Sequence, residues 1–256
     1  MKETKPTFSI ITVVFNSADL LEGTLKSVKM QTYTNYEYIV VDGGSTDGTL
    51  DTIQNNQHHI TTWISEKDKG IYDAMNKAFA LAKGDFLLFL NSGDRLFDTE
   101  VLANLAKHIT PNTAILYGET MLVNEQREHI GTRSALTPQR LPKQLNWQSM
   151  RFGMVVCHQA FLVRRELPPP QYIEKNLAAD IDWVINCLKK SCETVNTHII
   201  ISEYLMGGTS KKRHQQSLWD RYDILKKHFG FFPNVFAHAY IVARAAWFKL
   251  FHKNSY

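Results

Sequence analysis

Apolar residues in the first hundred positions fall into short blocks whose period switches between two and about 3.6 residues. Phe8 to Phe15 is almost continuously apolar and rich in Ile, Val and Thr, the pattern of a central strand covered on both faces. A helix follows, with Asn16 or Ser17 available as its cap and Leu21, Leu25 and Val28 at helical spacing. Tyr36 to Val41 is a second strand, broken by Asp42, Gly43, Gly44 and Gly48 before Thr49 to Ile53 turns helical. Thr61 to Ser65 is a third strand, after which Ile71, Ala74, Met75, Ala78 and Ala82 form a helical stripe that Gly84 stops. A fourth strand, Phe86 to Leu90, ends in Asn91, Ser92, Gly93 and Asp94. Strand and helix alternate four times, which predicts an α/β fold with a mostly parallel, doubly wound sheet, helices on both faces and polar loops after every strand.

The second half is less regular. Ala114 to Val123 has β character and pairs as a hairpin with residues around Ile130, while Gly131 to Arg151, with Pro138 and Pro142, is expected to be a long loop. Gln159 to Val163 is a further strand, ended by Pro168 to Pro170. A helix from Ala179 to Lys190 buries Ile181, Val184, Ile185 and Leu188, with Asp180 and Asp182 in its first turn. Ile199 to Tyr204 is a short strand, followed by Gly207, Gly208 and the basic cluster Lys211, Lys212, Arg213 and His214. In Pro233 to Lys253, Phe236, Ala239, Tyr240, Ala243, Trp247, Leu250 and Phe251 share one helical face. Such a helix lies in a membrane interface, or docks on the domain or on a second copy as a homodimer contact; His238, Arg244 and Lys249 keep it from spanning.

Composition narrows the class. The 256 residues are 44% hydrophobic and 21% charged, enough for one large α/β domain with an appended helical tail. A net charge of +4 is too small to argue for nucleic acid, and no nucleic-acid partner is expected. Cys157, Cys187 and Cys192 form neither a CxxC pair nor an even set, so a reducing cytoplasmic setting fits. The stretch VDGGSTDGT, Val41 to Thr49, places Asp42 at the carboxyl end of a strand, where open α/β sheets bind ligands. The same residues also serve a simple Asx-type turn, and the stretch alone does not decide between the two.

Taken in order, SIITVVFN, VDGGSTDGT, SEKDKGIYDAMNKA, GDFLLFLNSGD and AADIDW resemble the family 2 glycosyltransferases, in particular bacterial enzymes that assemble surface polysaccharides. The resemblance covers about the first two thirds of the chain. It implies the GT-A fold over residues 1–214, with a nucleotide-sugar half to about residue 125 and an acceptor half beyond it, and a helical extension over 215–256. It also implies a nucleotide-diphosphate sugar donor, UDP-sugar in the first instance, and inversion at the anomeric carbon. A divalent cation, Mn or Mg, and a glycan or lipid-linked acceptor at the inner face of the plasma membrane complete the expectation.

Carried over residue by residue, Thr12, Val14 and Phe15 line the nucleotide pocket and Asp42 holds the nucleoside, although the family's following Asp is Gly43 here. Asp68 and Asp73 approach the donor from the start of the third helix, where Lys69 and Lys77 could meet phosphate. The family's Asp-x-Asp becomes Asn91, Ser92, Gly93, Asp94, leaving Asp94 as the metal carboxylate with Asn91 beside it. Asp180 matches the catalytic base, though Ala179 replaces the usual preceding Glu. His158, Gln159, Lys211 and Arg213 are assigned to acceptor or diphosphate contact.

Rival chemistries fit less well. A sugar nucleotidyltransferase or a dinucleotide oxidoreductase needs a glycine-rich loop after strand one, and VVFNSADLLEG is not one. A phosphoaspartyl phosphatase needs a second Asp where Gly44 stands. The altered metal and base motifs leave a non-catalytic nucleotide-sugar-binding subunit as the alternative from another class.

Overall fold

Alternate side chains of the first strand enter two different cores. Phe8, Ile10 and Val14 pack on one face and Ile11 and Val13 on the other, which is why the run is apolar throughout. The computed structural model describes residues 7–167, 171–207 and 214–251. Its first half is β1 (Phe8–Val14), α1 (Ala18–Lys29), β2 (Tyr36–Asp42), α2 (Thr49–Asn55), β3 (Thr62–Ser65), α3 (Ile71–Leu81) and β4 (Phe86–Phe89), as the periodicity predicts. These four strands pair in parallel in the order β3-β2-β1-β4. The chain reverses its direction of travel between β1 and β4, a topological switch point with a crevice at the carboxyl ends of the strands.

Beyond β4 the sheet becomes mixed. It continues through β5 (Arg95–Leu96), β6 (Ile115–Val123), β7 (His129–Thr132), β8 (Phe161–Arg164) and β9 (Thr194–Leu205). β8 is antiparallel to β4 and to β6, whereas β9 runs parallel to β6, so parallel pairing dominates only the first half. β7 forms the expected hairpin with β6. Two elements lie inside the stretch expected as a long loop, the short helix α5 (Arg133–Leu136) and a 3-10 segment, Trp147–Phe152, closed by a capping box between Asn146 and Ser149. The strand expected from Gln159 begins at Phe161, because a 3-10 turn occupies His158–Ala160.

Helices cover both faces. On one side α3, α6 (Ala179–Lys190) and α7 (His214–Phe229) pack against Val13, Val41 and Phe89; on the other α1, α2 and α4 (Val101–Lys107) pack against Ile10, Val40 and Leu88. Ser17 stands at the start of α1 but makes no side-chain cap; Asp47, from the loop after β2, accepts the Ala18 N–H instead at 3.3 Å.

The final helix, α8 (Phe231–Phe251), covers most of the expected segment and leaves its aromatic stripe open. Its docked face is Asn234, Ala237 and Phe248, while Phe236, Tyr240, Trp247, Leu250 and Phe251 remain between 51% and 77% exposed. Asn234 Nδ2 donates to Tyr222 O at 3.1 Å and so ties α8 to α7. Among the described residues no helix is long and apolar enough to cross a membrane.

α7 is itself tied to α6 by a buried charge cluster. The Asp182 carboxylate accepts from His228 Nε2 at 2.7 Å and from Lys227 Nζ at 2.9 Å, and Lys189 Nζ meets His228 Nδ1 at 3.0 Å. Burial pushes the Asp182 pKa up, and the bonds to His228 and Lys227 outweigh it, leaving the carboxyl below its usual range. Asp182→Ala leaves the buried His228 Nε2 and the half-exposed Lys227 ammonium without their shared acceptor and should cost about 2 kcal/mol in urea unfolding, with His228→Ala smaller. An unchanged unfolding midpoint for Asp182→Ala would remove this cluster from the account of how α7 is held.

Candidate active site

Three loops meet at the carboxyl ends of β1, β2 and β4. The Asp42 carboxylate is fully buried and closes the first of them. It accepts the N–H groups of Gly44 at 3.1 Å and Ser45 at 3.0 Å, the Ser45 hydroxyl, and the Ser65 hydroxyl at 2.6 Å. The Asx turn is therefore formed, and Asp42 shapes the loop from within without presenting its oxygens to a ligand. Asn16 N donates to Ser45 Oγ at 2.8 Å, and Thr46 N donates to Asn16 Oδ1 at 2.9 Å, so the loops after β1 and β2 brace each other. Thr12 bonds to Tyr38 Oη and Leu90 O within the sheet and Val14 is buried; of these three pocket candidates only Phe15, 61% exposed, faces outward.

Asp68 occupies the space above Gly43. A Cβ placed on Gly43 would lie within 3.0 Å of the Asp68 carboxyl carbon, so the chain brings a carboxylate over the loop from β3–α3 where residue 43 has no side chain. Asp68 Oδ1 accepts the Gly70 N–H at 2.9 Å. Asp73 is taken up locally: it accepts Lys69 N at 2.9 Å and lies 3.5 Å from Lys77, and its pKa is lowered by those partners. Lys77 also pairs with Glu66 at 2.9 Å, so it is held by its own neighbourhood.

The loop after β4 is clamped from four sides. Thr24 Oγ1, on α1, accepts Gly93 N at 3.0 Å and donates to Asp94 O at 2.7 Å, while Arg127 donates to Gly93 O at 2.7 Å. Gly93 has a φ of 98°, and a side chain there would press on Leu20 and Leu205. The Asp94 carboxylate, 5% exposed, accepts from Gln159 Nε2 at 2.7 Å and from Leu205 N at 3.1 Å. Burial raises its pKa to about 7 against the pull of those two donors and of Arg127. In the same loop, whose Asn91 O accepts Asp94 N at 2.9 Å, Asn91 Oδ1 is buried with no hydrogen-bond partner among the described residues.

Asp180 opens α6, with Oδ1 accepting Ile181 N at 2.9 Å and the Tyr72 hydroxyl 3.5 Å away. Burial raises its pKa too, while Arg221 pulls it down. Tyr72 stacks on Tyr172, and Tyr172 stacks on Trp183 and bonds to His158 Nε2 at 2.7 Å. His158 thus belongs to an aromatic core: it is 6% exposed, stacked on Phe89, and burial lowers its pKa to about 4, so it is neutral. Gln159 holds Asp94 and accepts a contact from Cys157 Sγ at 3.1 Å. Lys211 and Arg213 lie outside the described residues.

The structure also brings in residues that local sequence did not single out. Arg127 arrives from the β6–β7 turn, Arg133 from α5 and Arg221 from α7, all from elements distant in sequence. Tyr72 adjoins the singled-out Asp73, and its place beside Asp180 depends on the packing of α3 against α6.

The profile of Glycosyl transferase family 2 matches residues 9–167, more than half of the chain. The chain is a family 2 glycosyltransferase. A PGL/p-HBAD biosynthesis glycosyltransferase of Mycobacterium bovis is 32% identical over 215 residues, 80% of this chain and 79% of the relative. An uncharacterized glycosyltransferase of Mycobacterium tuberculosis is 30% identical over 251 residues, 93% and 91% of the two chains. Among solved structures, S. aureus TarS 1–349 with UDP-GlcNAc superposes with a TM-score of 0.68 at 19% identity. That match covers 85% of this glycosyltransferase and 64% of the TarS fragment, less than two thirds of it. The mannosyltransferase PcManGT of Pyrobaculum calidifontis, with GDP-Man and Mn2+, superposes with a TM-score of 0.67 at 16% identity over 97% and 76% of the two chains. At these identities the structures establish the fold, which is the α/β arrangement the sequence predicts.

Asp94 gives this glycosyltransferase a pH signature. A raised acid pKa means that the folded state keeps a proton the unfolded state has released between 3.8 and about 7. The stability Asp94 contributes is therefore complete below 3.8 and is lost as pH rises through about 7. In metal-free buffer the melting temperature should fall across that window, and Asp94→Asn should flatten the fall; parallel curves for the two proteins would contradict it.

Proposed function

We propose that this glycosyltransferase transfers a sugar from a nucleoside-diphosphate sugar, UDP-sugar in the first instance, to a hydroxyl of a surface-glycan or lipid-linked acceptor, inverting the anomeric carbon. The observation that carries the reading is the pair Asp94 and Asp180, two carboxylates at one end of a glycosyltransferase sheet that burial holds above the usual carboxylate range. Asp180 acts as general base. Its carboxylate takes the acceptor hydroxyl proton as the oxygen attacks the anomeric carbon, and the raised pKa strengthens it as a base. Tyr72 and the Ile181 N–H orient it.

The residues after β4 fit a hard cation. Asn91 Oδ1 is an orphaned neutral oxygen and Asp94 a single carboxylate, a donor set that leaves diphosphate oxygens and water to complete the shell. A divalent cation bound there would balance the charge of the departing diphosphate. Gln159 and Leu205 N fix the direction in which Asp94 points. Asp68, over Gly43, and the exposed ring of Phe15 flank the space left for the nucleoside. The UDP-GlcNAc and GDP-Man with Mn2+ held by the two superposed structures are consistent with this class of donor.

The exposed face of α8 is proposed to rest on the inner membrane surface, where a lipid-linked acceptor would be presented. Phe236, Trp247, Leu250 and Phe251 supply apolar area, and Arg151 and Arg244 lie beside it to meet anionic headgroups.

Asp180→Asn should lower turnover by about a hundredfold or more while UDP affinity with Mn2+, read by calorimetry, stays within about twofold. Unchanged turnover would exclude Asp180 as the base. Replacing Phe236, Trp247 and Phe251 together by Ser should lower recovery on anionic vesicles about tenfold or more without loss of melting temperature. Full recovery would overturn the membrane contact, and dimer dissociation in light scattering would assign the face to a second copy.

A further inference from the structure

α7 brings Arg221 to Asp180 and α5 brings Arg133 to Arg221, and among the described residues the Arg221 Nε has no partner. Arg221 follows Asp220, whose carboxylate accepts Leu177 N at 2.7 Å and so fixes this turn of α7 over the start of α6. The Arg221 Nε is buried without a partner, and among the described residues the side chain forms no hydrogen bond or ion pair. Arg133 spends one N–H on Met154 O. Burial lowers the Arg221 pKa, Asp180 opposes that, and the like charge of Arg133 lowers it further. Arg221 thus has Asp180 as its acidic neighbour and Arg133 as its basic one, with Asp220 already engaged at Leu177. An unpaired arginine in a desolvated position is costly unless a further anion arrives, and its planar fork suits an oxyanion.

We propose that Arg133 and Arg221 form an oxyanion clamp for the acceptor, so that the preferred acceptor carries a phosphoryl or carboxylate group close to the hydroxyl that Asp180 deprotonates. This rests on the glycosyltransferase reading of Asp180 and names its acceptor class. The clamp is a positioning and specificity device. It binds the anion, orients the neighbouring hydroxyl toward Asp180, and leaves bond making to the base and the donor. It comes from the second half of the chain, whereas Asp42, Asp68 and Asp94, which border the donor, come from the first.

The test is calorimetric titration of inorganic phosphate into the protein saturated with UDP and Mn2+, for wild type, Arg133→Gln, Arg221→Gln and Arg221→Lys. Phosphate should bind the UDP-saturated wild type, weaken about tenfold or more in each Gln variant, and be partly retained in Arg221→Lys. UDP affinity should stay within about twofold in all four, which also reports that the variants fold. Equal phosphate binding in wild type and Gln variants overturns the clamp. Phosphate binding only in the absence of UDP also overturns it, because the arginines would then serve the donor diphosphate. Absence of UDP binding in the wild type is a separate result that strikes the donor reading; phosphate titrated into the UDP-free protein, wild type against the Gln variants, then decides the clamp by the same tenfold difference.

Discussion

The buried carboxylate of Asp42 is the interaction on which the site end of the sheet depends. A strand that ends inside a sheet must hand its backbone to a loop whose N–H groups still need partners. Here one side chain receives two of those N–H groups and two hydroxyls, from Ser45 and Ser65, without contact with solvent. The loop so closed then reaches outward: Ser45 accepts Asn16 N, Asp47 accepts Ala18 N at the start of α1, and Thr49 Oγ1 accepts Ser17 N at 3.0 Å. Removing Asp42 would leave the beginnings of α1 and α2 and the end of β1 without a common anchor. A residue that the ligand-binding reading places in contact with nucleoside is thereby the one that holds the surrounding backbone in shape.

Carboxylates at this end of the sheet divide by how many donors reach them. Asp42 has four, all within its own loop and β3, and is consumed by structure. Asp94 has two, from Gln159 and Leu205, and these do not offset its desolvation. Asp180 has one close backbone donor and a distant tyrosine. Under-satisfied buried carboxylates are poised to take a proton or a cation, which is the chemistry that sugar transfer from a diphosphate asks of them. The arginines follow the same rule with the sign reversed, since Arg221 is buried with fewer acceptors than its donors need.

The first ninety-four residues were legible because their signals are local. Each strand is a short apolar run, β-branched residues mark β1 to β3, polar residues follow every strand, and each helical stripe lies within its own segment, so period and punctuation agree. Asp94 and Asp180 were singled out for a related reason, the order of several short motifs. The second half was legible only in part: the β6–β7 hairpin and α6 were expected, the rest was not. β9 runs for twelve residues but is bent at His198, which has a φ of 56°, so only its later part has a strand signature. α4 and α5 are short, and α7 is polar enough that no stripe stands out. In α8 apolar residues surround most of the helix, and periodicity could not choose the docked face; Asn234, a polar residue that finds Tyr222 O, helped to choose it. Gln159 looked like an acceptor contact because its partner, Asp94, is sixty-five residues away in sequence.

α7 joins the two parts of the molecule that the sequence left least connected. Its last turn is locked to α6 through His228, Lys227 and Asp182, its first half places Arg221 beside Asp180, and Tyr222 O receives Asn234 from α8. The orientation of the exposed aromatic face is therefore set by the same helix that sets the acceptor side of the site. A surface bound through α8 would meet the protein at a fixed angle to Asp180, and a headgroup held at that surface would approach the base from the side on which Arg133 and Arg221 lie. Loss of the buried ion cluster would loosen α7 at its last turn, while the final helix keeps a second tie to the 3-10 segment through Arg244 on Phe152 O and Tyr240 on the Phe152 ring. On the proposed reading of Asp180 and Arg221, the helical extension borders the acceptor side of the site.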